Sequence, residues 1–353
     1  MLPEWMPNLH PMVVHFPIAL IIVAFAVDVV ALFFRRISIL PRMSTILYVL
    51  GALGALGSVV SGEGATETVA VAGQASSILA NHEDVGEITM YYFLIYAALR
   101  LALWWLSFRL VFWIPLAVIG AAGLIPLYQA SSFGGRLVYE QGVGVAMVDS
   151  MALRLEESEK ALLRMGMAEE FSGLGEDGAW QWRAGENAAN TFNAAFETMM
   201  GQVVADTVRD SEGNYWLALS IVESPAMITY GIPVANVEFL AEMNLSDFDG
   251  SVRLLHHVTD SLSYHFMEVE DEMIRLGVSE DGEIEIEKET SPSQSPEVGV
   301  FRVVGDETHF RGYFDGNLEV HGHGPAPEAG VTGFDIVGSG TIKFARMQMV
   351  VLQ

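Results

Sequence analysis

Four apolar stretches, each close to the length a helix needs to cross a bilayer, constrain this chain more than any other feature. About 20 helical residues span the hydrocarbon core, where every backbone N–H and C=O must find its partner inside the protein. The stretches run from about Pro11 to Phe34, Ser44 to Val60, Ile88 to Leu106 and Leu110 to Tyr128, the last two joined by a tight turn. Residues 1–150 are therefore expected to form a transmembrane four-helix bundle. The leading "MLPEW" carries no basic residue, unlike a cleaved signal peptide, so the first span is read as retained.

Arginine placement sets the orientation. Arg35, Arg36 and Arg42 lie between spans one and two, and Arg100 and Arg109 lie near the turn between three and four. The opposite side holds Glu63, Glu67, Glu83, Asp84 and Glu87, with Arg136 after span four. The positive-inside rule puts the arginine side in the cytoplasm, and both termini on the other side. Charge is divided just as unevenly along the chain. Up to Ser150 there are six Lys+Arg against nine Asp+Glu, and beyond it twelve against thirty-five. So acidic a C-terminal half repels nucleic acid and anionic membrane surfaces. A salt-rich habitat and a solubility device both fit the acidity. With no cysteine in the chain, disulfides, thiolate metal sites and covalent c-type haem attachment are excluded.

The topology brings distant residues to one layer. His10, His15, Glu63, Glu67, His82 and Glu83 all fall at the outer ends of their spans, and the three histidines are all that this half contains. Polar groups are costly in a membrane helix, so their convergence points to a bound group, against capping or hydrogen-bonding roles for each taken singly. One candidate is b-type haem, held by an imidazole from span one (His15) and one from span three (His82), with His10 as substitute or supporting hydrogen-bond partner. "GALGALG", with Gly51, Gly54 and Gly57, would admit a flat macrocycle or simply another helix. The other candidate is a metal ion on histidine and carboxylates, drawing on Glu63, Glu67 and Glu83. Deeper in the bundle, Asp28 and Arg100 lie about 25 Å and 20 Å from the outer ends of their helices at about 1.5 Å per residue, so an ion pair between them is expected.

The segments "NLHPMVVHFPIALIIVAFAVDVVAL" (8–32), "NHEDVG" (81–86) and "FGGRLVYEQGVGV" (133–145) resemble the bacterial membrane family catalogued as domain of unknown function 2231, over about residues 8–148. The resemblance implies a four-helix bundle in a bacterial inner membrane, with shared histidines matching His10, His15 and His82 and a shared aspartate matching Asp28. Relatives joined to Rieske or cytochrome modules imply an electron-transfer setting. Gln141 departs from the family's "YRHGVGV", where a histidine would stand.

Residues 151–175 begin with the helical spacing of "MALRLEESEKALLRMGMAEE", read as an amphipathic connecting helix that "SGLGEDG" breaks. From 176 to 353 the pattern becomes strands with turn signals. "EGN" (212–214), "DFDG" (247–250), "EDG" (280–282) and "FDGN" (314–317) separate alternating segments such as "YWLALSIVE", "SVRLLHHV", "EIEIEKE" and "TIKFARMQMVV". Asp-Gly turns flanked by alternation indicate hairpins, and their spacing indicates an antiparallel sandwich. A short helix is expected within "NAANTFNAAFETMM". The pattern around "YFDGNLEV" (313–320) resembles concanavalin A-like jelly rolls of the laminin-G type, which implies sugar or protein binding. Asp247 and Asp249 read as a plain turn before a calcium site, Trp180 and Trp182 as core anchors before sugar-stacking platforms. "HGHG" (His321, His323) and "LLHHV" (His256, His257) are candidate copper or zinc ligands without the spacing of a closed site.

Two functions follow as expectations. The first is a non-catalytic redox module or accessory subunit of a membrane electron-transfer complex, using haem b or a metal, with other membrane or periplasmic subunits as partners. The alternative is a membrane-anchored carbohydrate- or protein-binding module, or a structural subunit, with no cofactor. No nucleophile–base pair or phosphate loop points to an enzyme.

Overall fold

The computed structural model describes residues 8–34, 37–66, 71, 73–105, 113–145, 148, 151, 170–270, 272–292 and 294–352. The chain forms two compact units, Met1–Val69 with Ile78–Gly144, and Ala70–Ser77 with Val145–Gln353. The expected connecting helix and the turn between spans three and four fall largely outside the described residues.

The first unit is helical: α1 (His10–Val13), α2 (His15–Phe33), α3 (Ile39–Thr66), α4 (Gln74–Trp105) and α5 (Trp113–Tyr139). Among the described residues, four helical stretches are long and apolar enough to cross a membrane: His10–Phe33, Ile39–Thr66, Ala75–Trp105 and Ile114–Tyr139. The third and fourth outrun their apolar stretches, because their polar flanks "SSILANHEDVGE" and "QASSFGGRL" hold no proline, and the helix carries through Gly86 and the Gly134-Gly135 pair. Small residues allow the helices close approach. A Cβ on Gly51 would sit 2.7 Å from Ile21 Cγ1, and one on Gly54 would sit 3.2 Å from Pro17 Cδ, so α2 packs into the glycine face of α3. Tyr48, Phe93 and Tyr96 fill the centre of the bundle beside Ile21 and Leu127.

Asp28 and Arg100 form the polar heart of this unit. The guanidinium donates to both carboxylate oxygens, to Ser44 Oγ at 2.5 Å, to Thr45 Oγ1 at 3.2 Å and to Tyr96 Oη at 2.9 Å. Tyr96 in turn donates to the Leu116 carbonyl at 2.7 Å, tying α5 to the same network. Tyr48 offers its ring face to the guanidinium, 4.8 Å from the centroid. Four helices thus meet at one charge pair. Asp28→Ala would leave Arg100 buried and uncompensated, costing about 3–5 kcal/mol. A markedly lower unfolding temperature of the detergent-purified protein is expected, with recovery in the double variant Asp28→Leu/Arg100→Leu. An unchanged transition for Asp28→Ala would show that the pair does not hold the bundle.

The second unit is an antiparallel β-sandwich of β1 (Trp180–Arg183), β2 (Glu197–Arg209), β3 (Tyr215–Val234), β4 (Val237–Val258), β5 (Tyr264–Glu270), β6 (Met273–Glu280), β7 (Glu283–Thr290), β8 (Val298–Asp306), β9 (His309–Phe314), β10 (Asn317–His323) and β11 (Gly330–Val351), with the short helix α6 (Ala188–Ala195) between β1 and β2. Three strands of 20–22 residues run through both layers. The first half of β4 pairs with β8 and the second half with β5, while β11 lies alongside both. One layer is therefore β10–β9–β8–β4–β11–β3–β2, and the other continues from the same long strands into β5, β6 and β7. Phe239, Met243, Phe301 and Phe314 from one layer meet Leu254, Met267, Ile274 and Leu276 from the other in one core. Trp180 and Trp182 are buried in that core. "DFDG" is not a hairpin turn: it lies inside β4, where the strand bends from one layer to the other and Gly250 takes φ +146° opposite Gly338 at +148°. The turns at 212–214, 280–282 and 314–317 do connect β2–β3, β6–β7 and β9–β10, with Asp281 and Asp315 at positive φ ahead of glycine.

Candidate functional site

In the bundle, two of the three histidines meet. His10 Nδ1 lies 3.0 Å from the Ser58 carbonyl, and His82 Nδ1 lies 2.9 Å from the Ala130 carbonyl. A carbonyl only accepts, so each Nδ1 carries a proton and each Nε2 keeps its lone pair. The rings approach edge to face with centroids 6.2 Å apart. Gly62 and Gly134 make room for them, since a Cβ on either would lie 3.2 Å from the facing Cε1. His15 is exposed on α2. Five residues from His10, it points roughly 140° away around a helix axis, so both cannot face one neighbour. The ring beside His82 is therefore that of His10, while His15, expected to pair with His82, lies on another face of the helix. The glycines of "GALGALG" hold α2 side chains, which leaves them to helix packing rather than to a macrocycle. Glu63 is exposed and Glu83 half-buried, and Glu67 lies outside the described residues.

The sandwich carries a row of alternating charge across five strands. Cross-strand register lines up Asp335 on β11, Arg253 on β4, Glu268 on β5, Arg275 on β6 and Glu289 on β7. Arg253 donates to Glu268 and to Asp335, both at 2.9 Å, and Arg275 donates to Glu268 at 3.0 Å, Glu270 at 2.5 Å and Glu289 at 3.3 Å. Tyr264 Oη donates to Asp335 at 3.3 Å, and Arg253 stacks 4.8 Å above the Phe266 ring. The side chains are little exposed at Asp335 (4%), Arg253 (13%) and Glu268 (6%), and exposure then rises to 22% at Arg275 and 59% at Glu289. Burial pushes the Asp335 carboxyl up, with Arg253 pulling it back. Its Oδ1 is buried without a hydrogen-bond partner among the described residues. Sequence reading missed this row because its members are scattered over some eighty residues, and only strand register unites them.

Two histidine clusters lie in the same unit. His256, His257 and His265 pack with ring centroids 4.9–6.1 Å apart. His257 Nε2 lies 2.8 Å from the Ala235 carbonyl and must donate, so in the 2.6 Å contact between the two Nδ1 atoms His256 donates and His257 accepts. Burial, then the neighbouring imidazoles, lower His256 far below the ordinary histidine range and His265 to about 4, and burial also lowers His257. The other cluster joins His309 on β9 to His321 and His323 on β10. Its donor atoms all lie within 4.8 Å of one another, and among the described residues it is the one group of three or more histidine or acidic side chains so spaced. "HGHG" supplied two of its members and "LLHHV" two of the other cluster's; His309 and His265 come from partner strands that local spacing does not reveal.

Residues 6–147 match the family model described as "Predicted membrane protein (DUF2231)", the resemblance read from the sequence. Comparison with curated proteins found no match. The sandwich is similar to a carbohydrate-binding module, CBM66, from Bacillus subtilis (14% identity, TM-score 0.36, 44% of this chain and 95% of that one). It is also similar to a Bacillus licheniformis β-glucanase (10%, 0.37, 50% and 99%) and to galectin LEC-6 from Caenorhabditis elegans (10%, 0.30, 37% and 94%).

The buried imidazoles make the sandwich acid-sensitive. Folding depresses His256, His257 and His265, so below about pH 6.5 the unfolded chain takes up protons that the folded chain refuses. Stability is expected to be complete above about pH 6.5 and to fall as pH drops through the value near 4 of folded His265. Thermal unfolding of the full-length protein between pH 7 and pH 4 measures this. His265→Gln should flatten the decline, and an identical decline in that variant would assign it to other groups.

Proposed function

We propose that the protein is a membrane-anchored binding protein without catalytic activity. Its bundle is the anchor and its sandwich recognises a neutral polysaccharide on the periplasmic side of a bacterial inner membrane. The observation that carries this reading is the Asp335–Arg253–Glu268–Arg275–Glu289 row, which presents alternating donors and acceptors held rigid by their own ion pairs. Vicinal hydroxyls are both donors and acceptors, and a preorganised bidentate array suits them. The row's charges nearly cancel while the chain as a whole carries −26, which favours an uncharged polymer over an acidic one. Arginine placement supports the periplasmic side.

The test is retardation of the full-length protein in detergent on native gels containing neutral or acidic polysaccharides. Neutral polymer should retard it, and Arg275→Gln should weaken that binding by about tenfold or more, the loss of one charged hydrogen bond. Glu289→Gln, at the exposed end, is the companion variant where Arg275→Gln disturbs folding. Retardation by no polymer, or unaltered in both variants, would overturn the reading.

A second reading, a redox or accessory subunit holding haem b or a metal ion with other membrane subunits, is favoured by the paired His10 and His82, whose Nε2 lone pairs remain uncommitted to the backbone carbonyls. A haem bound there would supply one-electron transfer, while these residues supplied ligation and burial. A reduced-minus-oxidised visible spectrum of the purified protein tests it: a low-spin haem spectrum lost in His10→Ala and His82→Ala supports it, and a featureless spectrum with no bound metal removes it.

A further inference from the structure

We propose that His309, His321 and His323 form a binding site for a borderline divalent transition-metal ion, zinc or copper, on the β9–β10 hairpin. The site stands independently of polysaccharide recognition. Three features of the hairpin build it. His323 lies directly opposite His309 in the strand register, and His321 is two residues from His323, so all three side chains leave the same face. Their ring centroids are 4.5 Å (His321–His323), 4.6 Å (His309–His323) and 5.9 Å (His309–His321) apart. The glycines of "HGHG" are needed on the other face. A Cβ on Gly322 would lie 2.9 Å from Glu287 Oε2, and one on Gly324 would lie 3.0 Å from Phe310 Cε2.

Zinc–nitrogen bonds of about 2.0–2.1 Å in tetrahedral geometry place donors about 3.3 Å from one another. The donors here fall within 4.8 Å, so rotation of the outermost ring closes the set. His309 is buried, His321 half-buried and His323 exposed, a gradient that fixes one ligand and leaves another free to swing in. His321 Nε2 is buried with no hydrogen-bond partner among the described residues. Imidazole donors without thiolate or carboxylate suit zinc and copper over magnesium or calcium. Arg311 and Lys288 face His321 and oppose a cation, and Asp306 faces Arg311 as its counter-charge. Three protein ligands leave the fourth position to water or to an oxygen or nitrogen of a bound molecule.

The experiment is zinc titration of the chelator-treated full-length protein in detergent, with the bound metal counted by elemental analysis. One zinc equivalent should be lost in His321→Ala/His323→Ala, and His323→Ala alone should weaken it beyond the roughly 10–100-fold that an outer-shell change costs. Because His323 is exposed, that variant should keep the wild-type unfolding temperature without metal. His10→Ala should leave this equivalent in place, which separates the site from the bundle pair. Cobalt substitution should add the intense visible bands of a four-coordinate ion. A protein that binds no zinc, or whose zinc survives the double variant, overturns the proposal.

Discussion

Backbone against backbone at Gly250 and Gly338 is the contact on which the sandwich depends. A Cβ on Gly250 would lie 2.1 Å from the Val337 carbonyl oxygen, and one on Gly338 would lie 2.2 Å from that of Asp249. Only glycine fits at both, and both use positive φ. Here β4 and β11 turn together from one layer into the next without breaking their ladder. Their halves then serve two sheets, so the charged row on β11, β4, β5, β6 and β7 and the hairpin that bears the histidine triad hang from the same pair of strands. A corner built by two paired strands also keeps the backbone hydrogen-bonded through the bend, which a pair of separate hairpins would not.

The bundle solves a different problem. Arg100 is buried and meets two carboxylate oxygens, two hydroxyls, a phenol and an aromatic face. Such a network is closed: its donors are used within the unit, and its value lies in fixing which helices meet rather than in raw stability. The charged row of the sandwich is open by contrast. Its exposure rises from Asp335 to Glu289, so its outer members keep hydrogen-bonding capacity for something else. That difference is what the proposed division into an anchoring bundle and a recognising sandwich rests on.

Much of this was legible in the sequence, and the failures share a cause. The spans followed from apolar length alone, because lipid enforces it, and the two-residue turns at Asp281-Gly282 and Asp315-Gly316 followed from their need for positive φ. The same Asp-Gly signature at 249–250 marks a corner inside a strand, since glycine serves close backbone approach as readily as a turn. His15 read as the partner of His82 because sequence gives depth along a helix without the angle around it; the 6.2 Å contact belongs to His10. The charged row and both histidine clusters were invisible as groups, being products of register.

Register is most consequential at the β9–β10 hairpin. Folding about Asp315-Gly316 pairs Phe314 with Asn317 and Tyr313 with Leu318, and continuing that count would set His309 opposite Gly322. His309 would then face away from His321 and His323. The ladder instead slips between Leu318 and Val320, leaving Glu319 as an extra residue, and from there on Gly312 faces Val320, Arg311 faces His321 and His309 faces His323. A one-residue bulge reverses the face of everything beyond it. Plain hairpin geometry would have scattered the three imidazoles over both sides of the sheet. The bulge at Glu319 gathers them on one, and the proposed metal site depends on that irregularity.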